Sequence, residues 1–179
     1  FGCQMNKSDS ERIAGLLVSL GGAETSGPDE ADLVILNTCS VRQSAENRVF
    51  GQLHNLAQLK KTRPEMLICV TGCMPGRDQS GDLRAKLFGV NLFFPIIDLP
   101  KLPALLKEKG LLKEALPASQ GIYWSITPHY HNDWQAFVPI QIGCNNFCTY
   151  CIVPYARGRE TNRPVADILR EVRDLANRG

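Results

Sequence analysis

The sequence predicts an α/β protein. An N-terminal parallel-sheet three-layer domain over residues 1–110 is followed by a linker over 111–133. Residues 134–179 then form the first βα unit of a (βα) barrel that the chain leaves incomplete. Three observations predict this. Short apolar runs rich in branched residues alternate with segments of helical periodicity, the pattern of a parallel sheet with helices on its faces. Cys3, Cys39 and Cys73 recur 36 and 34 residues apart, close to the length of one strand–helix–strand unit. The chain closes on a strand, a cysteine-rich loop and a helix, the layout of an opening barrel unit.

The first helix is predicted over residues 8–20, where Ile13, Leu16, Leu17 and Leu20 share a face, Ser8 is placed to cap with Glu11 three residues on, and Gly21-Gly22 stops the run. ADLVILN at 31–37 predicts a buried parallel strand. Val41, Ala45, Val49, Leu53, Leu56 and Leu59 make one stripe of a helix over 40–61 that Pro64 ends. MLICVT at 66–71 predicts a second buried strand, with Cys69 packed in the core. Helices over 82–88 and 99–109 flank a weak strand at 91–94. From 111 to 133 the periodicity lapses, prolines appear, and a linker lying on the following domain is expected. WQAFVPIQI at 134–142 predicts a strand. Pro164 opens a final helix at its first turn, with Val165, Ile168, Leu169, Val172, Leu175 and Ala176 as its buried stripe.

Composition narrows the function. With 44% apolar and 21% charged residues the 179-residue chain is ordinary globular material for one large or two small domains. A net charge of +2 leaves room only for a local nucleic-acid face. No apolar run approaches the ~18 residues of a membrane span, and the opening residues lack a secretory-signal pattern. Seven cysteines, an odd number, fit thiolate ligands in a reducing cytoplasm better than a disulfide framework. The chain opens at Phe1 on a motif and stops at Gly179 just after a helix, so we expect a partial sequence.

Two cysteine sets carry the chemistry. Cys144, Cys148 and Cys151 stand as C-x3-C-x2-C, which can hold three corners of an iron–sulfur cube and leave the fourth iron open. A zinc knuckle or a plain electron-transfer cluster uses similar spacings. Tyr150 is placed to pack beside whatever meets the open iron. Cys39 and Cys73 each follow a predicted strand, and Cys3 would follow a strand before Phe1. In a parallel sheet those positions share the ligand-binding edge, so the three are expected to converge and ligate a second cluster. Gly2 and Gly72 precede two of them, where a tight turn or close approach needs a missing side chain. Arg157, Arg159 and Arg163 are candidates for phosphate contacts or cofactor clamps, or for internal anchors of the loop. Arg42 and Arg77 share that ambiguity. Asn6 and Asn37 are expected to brace turns, and Trp124 and Trp134 to pack in the linker.

The string GCNNFCTYCIVPYARGRE followed by Arg163-Pro164, together with GCQMN at 2–6, NTCSVR at 37–42 and GCMPGR at 72–77, resembles the radical S-adenosylmethionine methylthiotransferases, in their MiaB-type tRNA branch. The resemblance implies that the chain's last part opens a truncated radical-SAM partial (βα) barrel. It implies two [4Fe–4S] clusters, one on Cys144, Cys148 and Cys151 whose open iron binds S-adenosylmethionine beside Tyr150, and an auxiliary one on Cys3, Cys39 and Cys73 that delivers sulfur. It implies a 5′-deoxyadenosyl radical that attacks the adenine ring of N6-isopentenyladenosine next to the tRNA anticodon, and a second S-adenosylmethionine as methyl donor. No catalytic residue beyond the cluster ligands is assigned. An electron donor of flavodoxin or ferredoxin type, a monomeric state, a cytoplasmic location and no membrane partner complete the expectation. Sister families modify threonylcarbamoyladenosine or a ribosomal-protein aspartate, and a non-enzymatic iron–sulfur or zinc module is the alternative class. With most of the barrel and the β-barrel RNA-binding domain missing, the 179 residues alone are expected to be inactive.

Overall fold

A computed structural model describes residues 2–113 and 121–178. The elements run α1 (Gln4–Ser19), β1 (Leu33–Thr38), α2 (Gln43–Thr62), β2 (Leu67–Gly72), α3 (Cys73–Arg77), α4 (Asp82–Ala85), β3 (Leu92–Phe93), α5 (Leu102–Glu108), β4 (Gln141–Ile142), α6 (Val153–Arg157), β5 (Thr161–Asn162) and α7 (Val165–Ala176). Two 3₁₀ turns, Ile96–Lys101 and Tyr123–Ser125, join them.

β1, β2 and β3 form a parallel sheet in that order, with Leu33 opposite Leu67, Asn37 opposite Thr71 and Cys69 opposite Leu92. β2 lies in the middle and is buried throughout. Its side chains alternate between two cores, as the two-residue period of a strand requires. Ile68 and Val70 pack with Val49, Leu53 and Leu56 of α2, together with Met66, Met74, Leu87 and Val90. Leu67 and Cys69 pack with Ile13 and Leu16 of α1, Leu102 and Leu106 of α5, and Leu99, Tyr123 and Ile126. This is the predicted three-layer arrangement. Cys69 belongs to the core as expected, and burial pushes its thiol up to about 12.

Several boundaries differ from the sequence expectation. α1 begins at Gln4 and not at Ser8, because Asn6 turns back and its Oδ1 accepts the Cys3 N–H at 3.2 Å. Ser8 is therefore inside the helix and buried. Gly21 does end α1, at φ 83°, with Gly22 N–H reaching Leu17 O at 2.9 Å. An additional short helix, α3, starts directly on Cys73. The 82–88 helix shrinks to α4, and the 99–109 helix starts as a 3₁₀ turn around Pro100.

The strand expected over 134–142 survives only as β4, which pairs antiparallel with β5. Pro139, without an N–H, sits just before it. Pro164 caps α7 from outside its first turn. The α7 stripe was expected to be buried, but Val165, Leu169 and Val172 are 70, 46 and 45% exposed. The helix docks instead through polar contacts of Glu171 with Arg12, Tyr130 and Arg163.

Residues 114–120 of the expected linker lie outside the described residues. From 121 onward the segment packs on α1 and not only on the following elements. His129 N–H donates to Glu11 O at 2.8 Å, Arg12 donates to Ile126 O at 2.5 Å, and Gly15 is a glycine because the Thr127 carbonyl occupies the space of a Cβ. Trp124 packs edge-on to Tyr123 in this segment, while Trp134 stays exposed. Among the described residues no helix is long and apolar enough to cross a membrane.

Candidate metal centre

The carboxyl edge of the sheet is built by a polar lattice. Asn6 Nδ2 donates to Asn37 Oδ1 and to Thr38 O, both at 3.0 Å, and Asn37 Nδ2 donates to Asn6 O at 2.8 Å and to Ser10 Oγ at 3.0 Å. The N-terminus of α1, which carries Cys3, is thereby tied to the end of β1, which delivers Cys39. Thr38 Oγ1 donates to Thr71 O at 2.6 Å and accepts from Met74 N–H at 3.2 Å, tying β1 to β2 and to the start of α3. Gly72, at φ 97°, makes the turn into Cys73, and a Cβ there would strike the Thr38 backbone. The two asparagines, expected to brace turns, lie inside α1 and β1 and tie the helix to the strand.

Cys39 and Cys73 are buried at this edge and Cys3 is exposed. The Cys39 sulfur accepts the Val41 N–H at 3.4 Å, and the Cys73 sulfur accepts Arg157 Nε–H at 3.3 Å. Burial pushes the Cys73 thiol up, and the Arg157 guanidinium works against that rise. Among the described residues no three Cys, His, Asp or Glu side chains are grouped closely enough to hold an ion as they stand. The donor chemistry nevertheless fits a thiophilic centre: Cys39 and Cys73 are softly ligating sulfurs that each already accept an N–H, the support cluster-bound sulfurs receive.

The second set stands on the loop between β4 and α6. Gly143, at φ 77°, lies against the carbonyls of Gly158 and Arg159, and Cys144 N–H donates to Gly158 O at 3.2 Å. Phe147 takes a left-handed φ of 46°, and Cys151 N–H donates to Cys148 O at 2.9 Å, closing the turn that carries Tyr150. Cys148 is exposed, while Cys144 and Cys151 are half-buried. Tyr150 was expected to pack beside a cofactor site. In the structure it is 90% exposed.

The arginines separate into two kinds. Arg159 remains on the surface, its guanidinium 5.3 Å from the Phe147 ring centroid. Arg157 and Arg163 are both buried in internal ion pairs. Arg157 Nη2 meets Asp9 Oδ2 at 2.5 Å, and Arg163 pairs with Glu171. Arg77 pairs with Glu46 at 2.7 Å.

Asp9 escaped the sequence reading because a charged residue in a helix is ordinarily solvated. It is fully buried, with the Tyr123 hydroxyl donating to Oδ1 at 2.6 Å and Arg157 on Oδ2. A run of polar residues from Asn6 to Arg12 on both faces of α1 was the one available signal that this helix buries charge.

The two cysteine sets are joined through helices. α3, which starts on Cys73, packs on α6, which follows Cys151. Gly76 lies directly under the Ala156 carbonyl with no room for a Cβ.

Comparison with known proteins matches both halves. The Uncharacterized protein family UPF0004 matches residues 1–94, and the Radical SAM superfamily matches residues 138–179. Proteins named tRNA-2-methylthio-N(6)-dimethylallyladenosine synthase are similar over the whole chain. That of Dictyoglomus thermophilum is 45% identical, with the chain covering 41% of it. Those of Syntrophomonas wolfei and Shouchella clausii are 47% and 43% identical, with 41% and 35% covered. The chain thus spans about two fifths of the length of these relatives.

Proposed function

The chain belongs to the UPF0004 family, and on that premise we propose that it forms part of a radical S-adenosylmethionine tRNA methylthiotransferase acting on N6-isopentenyladenosine beside the anticodon. The observation that carries the proposal is the docking of α3 on α6, which brings the helix that starts on Cys73 against the helix that follows the C-x3-C-x2-C loop. The relatives' printed name supports the same substrate.

In this reading Cys144, Cys148 and Cys151 hold one [4Fe–4S] cluster and Cys3, Cys39 and Cys73 hold the auxiliary one. When bound, the clusters and S-adenosylmethionine supply radical activation of an inert aromatic C–H and the sulfur and methyl that replace its hydrogen. The chain's own residues build the frame. Gly72 and Thr38 fix the approach to Cys73, and the Asn6–Asn37 amide lattice ties the start of α1, which follows Cys3, to the end of β1, which precedes Cys39. Exposed Phe147 and Tyr155, paired edge to face, with Arg159 over the Phe147 ring, form a face suited to stacking an unpaired base and meeting phosphate.

The domain division at 1–110, 111–133 and 134–179 belongs to the proposal and is supported by the family matches at 1–94 and 138–179. So do a monomeric state and a donor of flavodoxin or ferredoxin type, together with a cytoplasmic setting, the last supported by the free thiols of the described cysteines.

The test is anaerobic reconstitution followed by analysis of iron, sulfide, zinc and tRNA nucleosides. About eight irons per chain accord with two cubes and about four with one. Bound zinc without iron overturns the reading. The full-length protein should form 2-methylthio-adenosine derivatives on tRNA carrying isopentenyladenosine, and the 179-residue chain alone should not.

A further inference from the structure

Among the described residues three arginine–carboxylate contacts are buried on both sides: Arg12 and Arg163 on Glu171, and Arg157 on Asp9. Arg12 on Glu171 fastens α7 to α1, and Arg163 holds the same carboxylate from the segment just before α7. Only the third also touches a cysteine.

The side chain of Arg157 is 6% exposed and that of Asp9 not at all. Nη1 and Nη2 of Arg157 face the two oxygens of Asp9, at 3.5 and 2.5 Å. Nε faces the other way, to the Cys73 sulfur at 3.3 Å. A guanidinium can do both because its donors are fixed in a planar fork, while an ammonium on a flexible stem has no such fixed division. Asp9 is held in turn by the Tyr123 hydroxyl. The backbone that carries Arg157 is set by Ala156 lying on Gly76, three residues past Cys73. An ion pair serving stability alone would not require Nε to point at a thiol.

We propose that Arg157 is a positioning residue for the auxiliary cluster, delivering a charged N–H from the cysteine-loop segment to the sulfur of Cys73. The proposal rests on the reading that Cys3, Cys39 and Cys73 hold that cluster. Hydrogen bonds and positive charge at cluster sulfurs stabilise the reduced state, which carries one more negative charge, and so raise the reduction potential. Arg157 therefore sets the auxiliary cluster at a higher potential than its buried thiolates alone would give. It does so from the segment that carries the other cluster's ligands.

The experiment uses the full-length protein with Cys144, Cys148 and Cys151 all changed to Ala, so that bound iron reports only on the auxiliary site. Iron content and midpoint potential, from an EPR-monitored redox titration, are compared for Arg157, Arg157→Lys and Arg157→Gln. The expected result is a shift to more negative potential in Arg157→Gln at unchanged iron content, with Arg157→Lys between it and the parent. Should Arg157→Gln fail to fold, Arg157→Lys, which keeps the buried charge, decides: a potential below the parent supports the proposal and one equal to it overturns it. Full iron with the same potential in all three proteins overturns the role of Arg157 and leaves the cluster reading standing. No iron in the parent overturns the cluster reading and the proposal with it.

Discussion

Arg157 and Asp9 form an ion pair buried on both sides, at 2.5 Å, and it joins the helix that follows Cys3 to the segment that follows Cys151. Desolvation opposes the charge on Arg157. Asp9 and the Cys73 sulfur more than offset it and hold the guanidinium firmly protonated. Replacing Asp9 with Asn would leave that charge buried with only a neutral partner. Breaking one side of such a pair costs about 3–5 kcal/mol, and the amide oxygen left behind should place Asp9→Asn near the lower end. Tyr123→Phe removes one hydrogen bond to the same carboxylate and should cost about 1.5–3 kcal/mol. Denaturant midpoints of the two variants check the order, and a smaller effect for Asp9→Asn than for Tyr123→Phe would contradict it.

Gly76 should not tolerate alanine. The Cβ would enter the space of the Ala156 carbonyl, a backbone atom with no rotamer to move. Overpacking of this kind costs about 1–3 kcal/mol, and relief requires α3 and α6 to separate. Gly76→Ala should therefore lower thermal stability and also increase the reactivity of Cys73 toward an alkylating agent, as the arginine withdraws from its sulfur. Gly51, exposed on α2 with open space around its Cα, is the control and should accept alanine without loss.

The sheet was legible in the sequence because β1 and β2 are continuous apolar runs, and only a strand buried on both faces needs such a run. The placement of Cys39 and Cys73 at the carboxyl edge of the sheet was legible because each follows an apolar run that forms a strand. What the sequence hid were pairings across long separations. Asp9 with Arg157 and Arg12 with Glu171 leave no periodic trace, and a lone charge on a helix looks the same whether solvated or paired. The start of α1 was hidden for a related reason: Asn6 caps backward onto Cys3, a role outside the usual Ser-and-Glu signature. The α7 stripe was read correctly as apolar, but apolarity does not say what covers it.

Glu171 should make the α1–α7 junction acid-sensitive. Burial alone would raise its pKa. The Tyr130 hydroxyl and the Arg12 and Arg163 guanidinium groups outweigh that and hold it below the ordinary carboxylate range. A folded-state pKa below the unfolded one means the unfolded chain binds more protons between the two values. Stability is then fully present above the unfolded pKa and is lost as pH falls through the folded one. Glu11 works in the opposite sense, since burial raises its pKa and its protonation relieves a cost as pH falls. Glu171→Gln should therefore flatten the acid limb of a stability–pH curve while lowering stability at neutral pH. A variant whose acid limb stays parallel to the parent would show that Glu171 is not the group titrating.

The exposed stripe of α7 gives the last expectation. Val165, Leu169 and Val172 share one side of the helix, and Glu171 docks it through Arg12, Tyr130 and Arg163. Their apolar surface is already in water, so removing it forfeits little burial energy. In the 179-residue chain, Leu169→Lys and Val172→Lys should each change stability by no more than about 0.5 kcal/mol, the range for surface sites away from special features. Leu106→Ala on α5, in the core under the sheet, should cost about 2–5 kcal/mol in the same assay. The contrast separates two accounts of an identical sequence pattern. If the α7 substitutions cost as much as Leu106→Ala, the stripe is packed in solution. If they are neutral, the polar contacts of Glu171 hold the helix, and the double substitution should also reduce self-association of the chain measured by light scattering, because a contiguous apolar face in water favours contact with another such face.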